Sequence, residues 1–428
     1  MSVQTPSVAI APARTSRAYS IYVLGVLLLV YTFNFIDRIV LGVLVPPIKA
    51  ELGLTDTQLG LLGGTAFALF YTALGVPIGW LADRVNRVWI MTAALALWSA
   101  FTAACGLATS FTQLFLARLG VGVGEAGGVA PAYSLISDYF PPEQRARALG
   151  VHAFGIPIGS ALGLFFGGII ASLVNWRMAF LILGIAGLVL APLQLFTVRE
   201  PVRGGLDARR GPRSSATLAQ VARVLARKPA FWGLSLAAAC SSIMGYGVFF
   251  WLPSLFVRSF GLTLMQVSVY FGSIMLVGGL AGVWLGGWLG DRYGSLRKSA
   301  YALVPALALL LSVPFYFFGV LSSGISWSIV VFVIPTALGL VWLGPTISAI
   351  QHLVLPEMRA LASAVFLFIN NLIGLGLGML VIGALSDALA ARFGAESLRY
   401  AILCGTSFYL LSATLFALSA RRLERDWE

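Results

Sequence analysis

The sequence predicts an all-α membrane protein whose twelve transmembrane helices form two pseudo-symmetric bundles of six. Three observations support this fold class: the composition, the number of long apolar runs and an internal repeat. Of the 428 residues, 59% are hydrophobic and only 10% are charged, whereas soluble proteins carry roughly 25% charged residues. Most of the chain therefore cannot face water, as expected for a polytopic membrane protein.

Twelve apolar runs are long enough to cross the hydrocarbon core of a bilayer, which takes about 20 residues of helix. In the first half they cover residues 18–45, 57–81, 88–108, 112–138, 148–173 and 177–197. In the second half they cover residues 231–257, 265–289, 299–320, 325–350, 361–386 and 398–420. We number these predicted helices 1 to 12.

The two blocks of six runs define two domains, residues 1–197 and residues 231–428. Residues 198–230 between them are rich in Arg and form a predicted cytoplasmic linker. Within the linker, residues 214–217, Ser-Ser-Ala-Thr, precede a mixture of apolar and basic residues. This pattern fits a capped amphipathic helix on the inner leaflet, and it fits a solvated linker equally well.

The third observation is a motif that occurs once in each half. Residues 79–84 read Gly-Trp-Leu-Ala-Asp-Arg, and residues 287–292, 208 positions later, read Gly-Trp-Leu-Gly-Asp-Arg. Each copy ends an apolar run and opens a short charged turn, after predicted helices 2 and 8. A repeat at corresponding places indicates two related halves.

This motif resembles the signature loop of the major facilitator superfamily, which lies at these two places. The resemblance implies a secondary transporter that works by alternating access, with Asp83 and Asp291 capping helices 11 and 5 of the other bundle in the outward-facing state. Arg84 or Arg87 could pair with Asp138, at the inner end of helix 4. The candidate gating residues are Asp83, Arg84, Arg87, Asp138, Asp291 and Arg292. The sequence does not support a mirrored ion pair in the second half, because His352 stands where the second acid would be.

The distribution of basic residues predicts the orientation. With both termini in the cytoplasm, the inner segments hold 21 of the 28 Lys and Arg residues and the outer loops hold 5. Positive charge is concentrated on the cytoplasmic side of membrane proteins. We therefore expect a multi-pass protein of a bacterial inner (plasma) membrane, monomeric and surrounded by membrane lipids, with both termini inside.

Several other function classes find no support. The net charge of +12 does not indicate nucleic-acid binding, because the basic residues lie in short loops between apolar runs. Cys105, Cys240 and Cys404 all fall inside apolar runs, and with only two His residues the chain shows no metal-site spacing. We expect no enzyme activity, no cofactor and no metal. A channel is disfavoured because the two halves carry unlike residues.

Four ionisable residues lie well inside predicted spans: Asp37 and Arg38 in helix 1, Arg118 and Glu125 in helix 4. Their formal charges cancel. A charge at the bilayer centre costs at least about 2.5–3.5 kcal/mol, so such residues pair, face an internal cavity and usually carry function. These four residues are the candidate transport site.

Their depths suggest which of them meet. Asp37 lies about 12 Å from the outer end of helix 1 and Arg118 about 9 Å from the outer end of helix 4, at about 1.5 Å per residue. We therefore expect Asp37 and Arg118 to pair and to hold helix 1 to helix 4. Glu125 is seven residues beyond Arg118 on the same helical face. Arg38 points about 100° away from Asp37.

Two further motifs point to a particular branch of this superfamily. Arg118-x3-Gly122-x-Gly124 resembles the superfamily's helix-4 motif, whose arginine is associated with proton coupling. Residues 34–38, Asn-Phe-Ile-Asp-Arg, resemble the Spinster-like lipid transporters. This resemblance implies translocation of an amphipathic lipid, such as a lysophospholipid or a sphingosine phosphate, coupled to protons. The anion:cation symporter branch also carries an Asp-Arg pair in helix 1, so a small organic anion is an alternative substrate. A non-transporting lipid-binding receptor with this fold is an alternative of another class.

We hypothesise that Asp37 is the principal proton carrier and Glu125 the second. Arg118 and Arg38 then act as counter-charges and as anchors for the substrate headgroup. The candidate substrate-binding residues are Arg38, Arg118, Glu125, Asn34, Tyr246, Trp342, Asn370 and Asn371. Each uncharged member of this set could equally serve as an interhelical hydrogen-bonding group.

Overall fold

The computed structural model describes residues 16–82, 84–203, 218–322, 324–355 and 358–427. Over these residues the chain is helical and contains no β-strand. In a bilayer this is the expected solution, because a helix satisfies its own backbone hydrogen bonds where no water is present. Ten helical stretches are long and apolar enough to cross a membrane, and one of them, Leu361–Asp426, covers the last two predicted helices. The one predicted span that these ten stretches do not cover is helix 4, which is interrupted and is described below.

The first half of the chain forms six helices at the predicted positions, labelled α1 to α6. They are α1 (Arg17–Leu52), α2 (Asp56–Ala82), α3 (Arg87–Cys105), α4 (Phe111–Glu125 and Val129–Tyr139), α5 (Pro142–Ala153 and Gly155–Leu173) and α6 (Trp176–Thr197).

The second half again forms six helices, α7 to α12. They are α7 (Pro229–Phe260), α8 (Leu264–Gly294), α9 (Ala300–Leu321), α10 (Ile325–Leu338 and Leu343–His352), α11 (Arg359–Asn370, Asn371–Leu375 and Gly376–Phe393) and α12 (Ser397–Gly405 and Ser407–Asp426).

The connecting segment contains a short linker helix, Leu218–Ala226. Its Val221 and Leu225 side chains are buried, and the helix packs against α7 and the inner part of α11. A helix therefore forms where the linker pattern allowed one, with its apolar face on the second half. The predicted cap at residues 214–217 lies outside the described residues.

Glycines allow α4 to pack closely against its neighbours in the centre of the first half. A Cβ on Gly122 would lie 2.6 Å from the Phe67 carbonyl oxygen of α2, and a Cβ on Gly124 would lie 2.5 Å from the Trp98 backbone nitrogen of α3. No side chain fits at either place, so α4 contacts both neighbours through its backbone. This packing holds the polar residues of α4 inside the bundle.

Helix α4 breaks directly after Glu125. The backbone N–H groups of Gly127 and Gly128 donate to the carbonyl groups three residues earlier, at Gly124 and Glu125, and a regular helix resumes at Val129. Such tightened turns inside a helix are frequent at functional positions. The break divides predicted helix 4 into two shorter segments.

Two π-helical turns face each other across the halves, and the sequence analysis did not predict them. One covers Leu61–Thr65 in α2 and the other covers Asn371–Leu375 in α11. The Thr65 hydroxyl donates to the carbonyl oxygen of Gly376, at 2.7 Å. π-turns are rare and are frequently found at functional sites, and here this hydrogen bond joins the two halves.

The halves meet closely at the end of the molecule that the charge pattern predicts to face outward. A Cβ on Gly60 of α2 would lie 2.5 Å from the Met379 carbonyl oxygen of α11, and Gly168 of α5 leaves room for Ser268 of α8 in the same way. Among the described residues, every hydrogen bond and ion pair that joins residues 16–197 to residues 229–427 lies at this outer end or at the π-turns. The two halves are therefore closed against each other at this predicted outer end.

Candidate transport site

The four predicted intramembrane charges lie in the interior of the first half rather than against lipid. Asp37, Arg118 and Glu125 are 1%, 1% and 0% exposed. The Arg38 side chain is 13% exposed, and it is the member of the four that reaches accessible space. This placement is what a transport site requires, because lipid-facing positions could not bind a polar ligand.

Arg38 and Glu125 form the ion pair of this site. The Arg38 Nε lies 2.6 Å from Glu125 Oε2, and the bond joins α1 to α4 at the break in α4. Three aromatic rings surround the guanidinium, with its central carbon 5.1 Å from the Phe35 ring centre, 4.9 Å from that of Phe67 and 4.5 Å from that of Tyr71. Cation–π contacts of this kind stabilise a cation where water is scarce.

The expected pairing of Asp37 with Arg118 is wrong in this structure. The Arg118 Nη1 donates to the backbone carbonyl of Asp37 at 3.3 Å, and its Nε donates to the backbone carbonyl of Leu62 at 3.4 Å. The physical reason is helix rotation: α1 turns Arg38, and not its neighbour, toward the carboxylate on α4. Helices α1 and α4 are still joined by an ion pair, but between different partners.

The Asp37 carboxylate lies beside Thr102 and Trp98 of α3. Neither of its oxygens has a hydrogen-bond partner among the described residues. A buried acid without a bonded counter-charge can bind or release a proton without breaking a salt bridge. This property separates Asp37 from Glu125.

Asn34 lies on the same face of α1 as Arg38, one turn away, and is 2% exposed. Its amide has no hydrogen-bond partner among the described residues. It lines a small cavity together with Tyr31, Trp98 and His152, and the His152 ring stacks on Tyr31 with ring centres 4.4 Å apart. The rest of its lining is mainly apolar, and neither Arg38 nor Glu125 is part of it.

The candidates from the second half do not all converge on these charges. Tyr246 of α7 lies close enough to Arg38 for its hydroxyl to interact with the guanidinium charge. Asn370 instead accepts a hydrogen bond from the Ser242 hydroxyl at 2.9 Å, Asn371 opens the π-turn of α11, and Trp342 packs edge-on against Phe366. Phe67 of α2, which the sequence analysis missed, and Tyr71, one turn further on, contact Arg38 directly. The sequence pattern that could have indicated these two residues is their spacing: two aromatic residues at i and i+4 lie on one face of the helix that faces α1.

At the predicted inner end, Arg87 is the gating candidate that pairs with Asp138. Its Nη1 lies 2.6 Å from Asp138 Oδ2, and its Nε lies 2.7 Å from Glu200 Oε1. Glu200 was missed by the sequence analysis, although it is the single acid at the start of the basic linker. Arg84 takes no part in this cluster, since its guanidinium stacks on Trp80, 3.8 Å from the ring centre.

Of the other gating candidates, Asp291 and Arg292 make no hydrogen bond or ion pair to the first half among the described residues. Asp83 lies outside the described residues. Asp291 and Arg292 are exposed at the end of α8, where Arg292 approaches the Trp288 ring at 5.7 Å. No described residue bonds to the Asp291 side chain. The expectation concerned the outward-facing state, so it stays a prediction.

Comparison with known proteins shows which family the chain belongs to. Residues 27–379 match the family model of the Major Facilitator Superfamily. The chain belongs to the Major Facilitator Superfamily. This membership and the helical fold confirm the predicted fold class, and the chain is a multi-pass membrane transporter and not an enzyme.

Relatives in sequence and structure support the Spinster-like branch. Protein spinster homolog 1 of Homo sapiens is 30% identical over 394 residues, covering 87% of this chain and 74% of that protein. An MFS-type efflux pump of Mycolicibacterium smegmatis is 34% identical over 406 residues, covering 94% and 93%. The crystal structure of a bacterial homolog of the human lysosomal transporter Spinster, inward-facing and unoccupied, is 32% identical, with a TM-score of 0.89 over 97% of this chain and 99% of that one. The predicted Spinster-like membership is thus confirmed.

Proposed function

We propose that this transporter moves an amphipathic lipid with an anionic headgroup, of the lysophospholipid or sphingosine phosphate type, by proton-coupled alternating access. The observation that carries the proposal is the Arg38–Glu125 ion pair, which is buried inside the bundle except for the accessible part of Arg38. A guanidinium binds phosphate through paired hydrogen bonds. The headgroup therefore competes with Glu125 for Arg38.

Proton coupling follows from the same competition. A proton on Glu125 removes the charge that holds Arg38 and frees the guanidinium for the headgroup. Asp37, which has no bonded partner among the described residues, is the principal proton carrier because its protonation disturbs no ion pair. Arg118 fixes the α1 backbone beside Asp37 and serves as the counter-charge.

The substrate path includes residues from both halves. Asn34, Tyr246, Trp342, Asn370 and Asn371 line it in our proposal, with the charged groups on the first half and a mainly apolar second half for the lipid tail. The domains over residues 1–197 and 231–428 rock about the central site, while residues 198–230 connect them on the cytoplasmic side. We propose a monomer in a bacterial inner membrane with both termini inside.

A small organic anion is the runner-up substrate, because an Asp-Arg pair in the first helix also fits an anion:cation symporter and Arg38 would bind a carboxylate as well as a phosphate. A lipid receptor that does not transport is the alternative of another class. Both alternatives lead to outcomes that differ from lipid transport in the same reconstituted system.

The test uses the purified full-length protein in liposomes with an imposed pH gradient. We expect movement of a fluorescent lysophospholipid that depends on the gradient and that falls at least about 10-fold in Arg38→Gln. Native mass spectrometry of the purified protein should show co-purified lipid. Gradient-driven movement of a small anion without lipid movement would favour the symporter, and lipid binding without any flux would favour the receptor.

A further inference from the structure

A second cluster of charges closes the predicted outer side of the protein, and its Lys49 follows Arg38 of the transport site by 11 residues in α1. Its centre is Asp56, the first residue of α2, which is 2% exposed. Oδ1 of Asp56 accepts from Lys49 Nζ at 2.5 Å and from Arg258 Nη2 at 2.7 Å. Oδ2 accepts from Arg258 Nη1 and from the Ser386 hydroxyl, both at 2.7 Å.

A second carboxylate in this cluster caps a helix of the opposite half. Oδ1 of Asp387, in α11, accepts from the backbone N–H of Asp56 at 3.1 Å, and its Oδ2 accepts from the backbone N–H and the hydroxyl of Thr57 at 2.7 Å and 2.6 Å. The start of a long helix is a favourable place for an anion, because its N–H groups lack partners and the helix dipole is positive there. An acid therefore caps a helix across the halves at the outer end, the arrangement that the signature motif implied for the inner end.

The charges of this cluster balance separately in each half. Lys49 and Asp56 belong to the first half, and Arg258 and Asp387 belong to the second half. When the halves separate, Lys49 can stay with Asp56, and neither half is left with a net charge from the cluster. A buried ion pair that loses one partner is costly to break, and this division of charge reduces that cost.

We propose that Arg258 and Asp387 are positioning residues of the transport cycle: with Asp56 they form a latch that sets the ratio of the outer-closed form to the outer-open form. We call Asp56, Arg258 and Asp387 the outer latch. Lys49 is not part of it, because its bond to Asp56 lies within one half and can persist in both forms. The inference rests on the alternating access proposed above but not on the identity of the substrate.

The experiment measures the outer opening directly. Spin labels at Leu173→Cys and Met265→Cys, exposed sites at the outer ends of α5 and α8, report the distance between the halves by pulsed EPR, in a background without the native cysteines. Arg258→Gln and Asp387→Asn should each raise the ratio of outer-open to outer-closed protein by at least about 10-fold, since each removes charged hydrogen bonds between the halves. Lys49→Gln, the matched control within one half, should change the ratio by less than about 2-fold.

Equal shifts in all three variants, or no shift in Arg258→Gln and Asp387→Asn, would overturn the latch. Asp387→Asn keeps the size of the side chain and exposes no new buried cation, so it provides an independent measurement if Arg258→Gln folds poorly. The same distance measurement on unaltered protein, with lysophospholipid and across a range of pH, distinguishes a failure of the latch from a failure of alternating access. If no condition and no variant ever populates the outer-open form, alternating access itself fails; if pH or lipid opens the protein but latch variants do not, only the latch fails.

Discussion

The Arg38 guanidinium lies 2.6 Å from the Glu125 carboxylate, and these two residues join the first helix to the break in the fourth. Both groups would be expensive in the bilayer centre, and each makes the other tolerable. Because three aromatic rings already surround Arg38, the guanidinium would keep part of its stabilisation in the proposed exchange of Glu125 for a substrate headgroup. The same rings would therefore support the exchange of partners that we propose.

Glu125→Gln should abolish proton-driven lipid transport while allowing lipid to bind. The amide cannot release a proton, and it holds Arg38 less strongly, so the headgroup meets weaker competition. We expect gradient-driven uptake to fall at least about 10-fold and lipid affinity to stay equal or rise. Liposome flux and lipid-binding titrations measure the two quantities. Glu51→Gln, which changes an exposed acid paired with Arg177 at the outer end, is the control, and equal losses in both variants would contradict the assignment.

Asp37→Asn should also stop proton-driven transport, but with little effect on stability. The Asp37 carboxylate has no hydrogen-bond partner among the described residues, so the amide removes no ion pair that the fold needs. We expect a thermal midpoint equal to or above that of the unaltered protein, measured by intrinsic fluorescence during heating. Unchanged coupled transport would rule Asp37 out as the main proton carrier.

Arg87 and Arg84 provide a matched comparison at the inner loop. Arg87→Ala leaves Asp138 and Glu200 without the cation that lies 2.6 Å and 2.7 Å from them, which typically costs about 3–5 kcal/mol. Arg84→Ala removes an exposed hydrogen bond to the Trp80 carbonyl oxygen and a stacking contact with the Trp80 ring, and an exposed cation–π contact is worth about 0.5–1 kcal/mol. Chemical unfolding should show a clearly larger loss of unfolding free energy for Arg87→Ala than for Arg84→Ala. Similar losses in both variants would mean that the buried cluster does not stabilise the fold.

The close approach of α4 to α2 can be tested with two alanine substitutions. Gly122→Ala introduces a Cβ 2.6 Å from the Phe67 carbonyl oxygen, and overpacking of this kind costs about 1–3 kcal/mol. Because Phe67 also contacts Arg38, we expect lower transport as well as lower stability. Gly75→Ala in α2 is the control, since no atom lies within 4 Å of its added Cβ. A neutral Gly122→Ala would show that the helices can separate without loss.

Much of the fold could be predicted from the sequence, because the constraint is local. A segment must be apolar for about 20 residues to cross a bilayer, and a charge inside it must be compensated. Hydropathy along the chain therefore located the helices, and the cancelling formal charges of Asp37, Arg38, Arg118 and Glu125 marked the candidate transport site. The repeated loop motif added the relation between the halves, which the family match confirms.

The tertiary structure decided which of these residues pair. Asp37 and Arg38 are adjacent, and only the rotation of α1 about its axis determines that Arg38 and not Asp37 meets an opposite charge on α4. An almost continuously apolar helix carries no periodic pattern from which this rotation could be read. The contacts of Arg87 with Glu200 and of Asp56 with Asp387 join residues 113 and 331 positions apart. Pairs so distant become neighbours only after the helices have packed, because the partner of a charge is set by three-dimensional proximity and not by the hydropathy of its own segment.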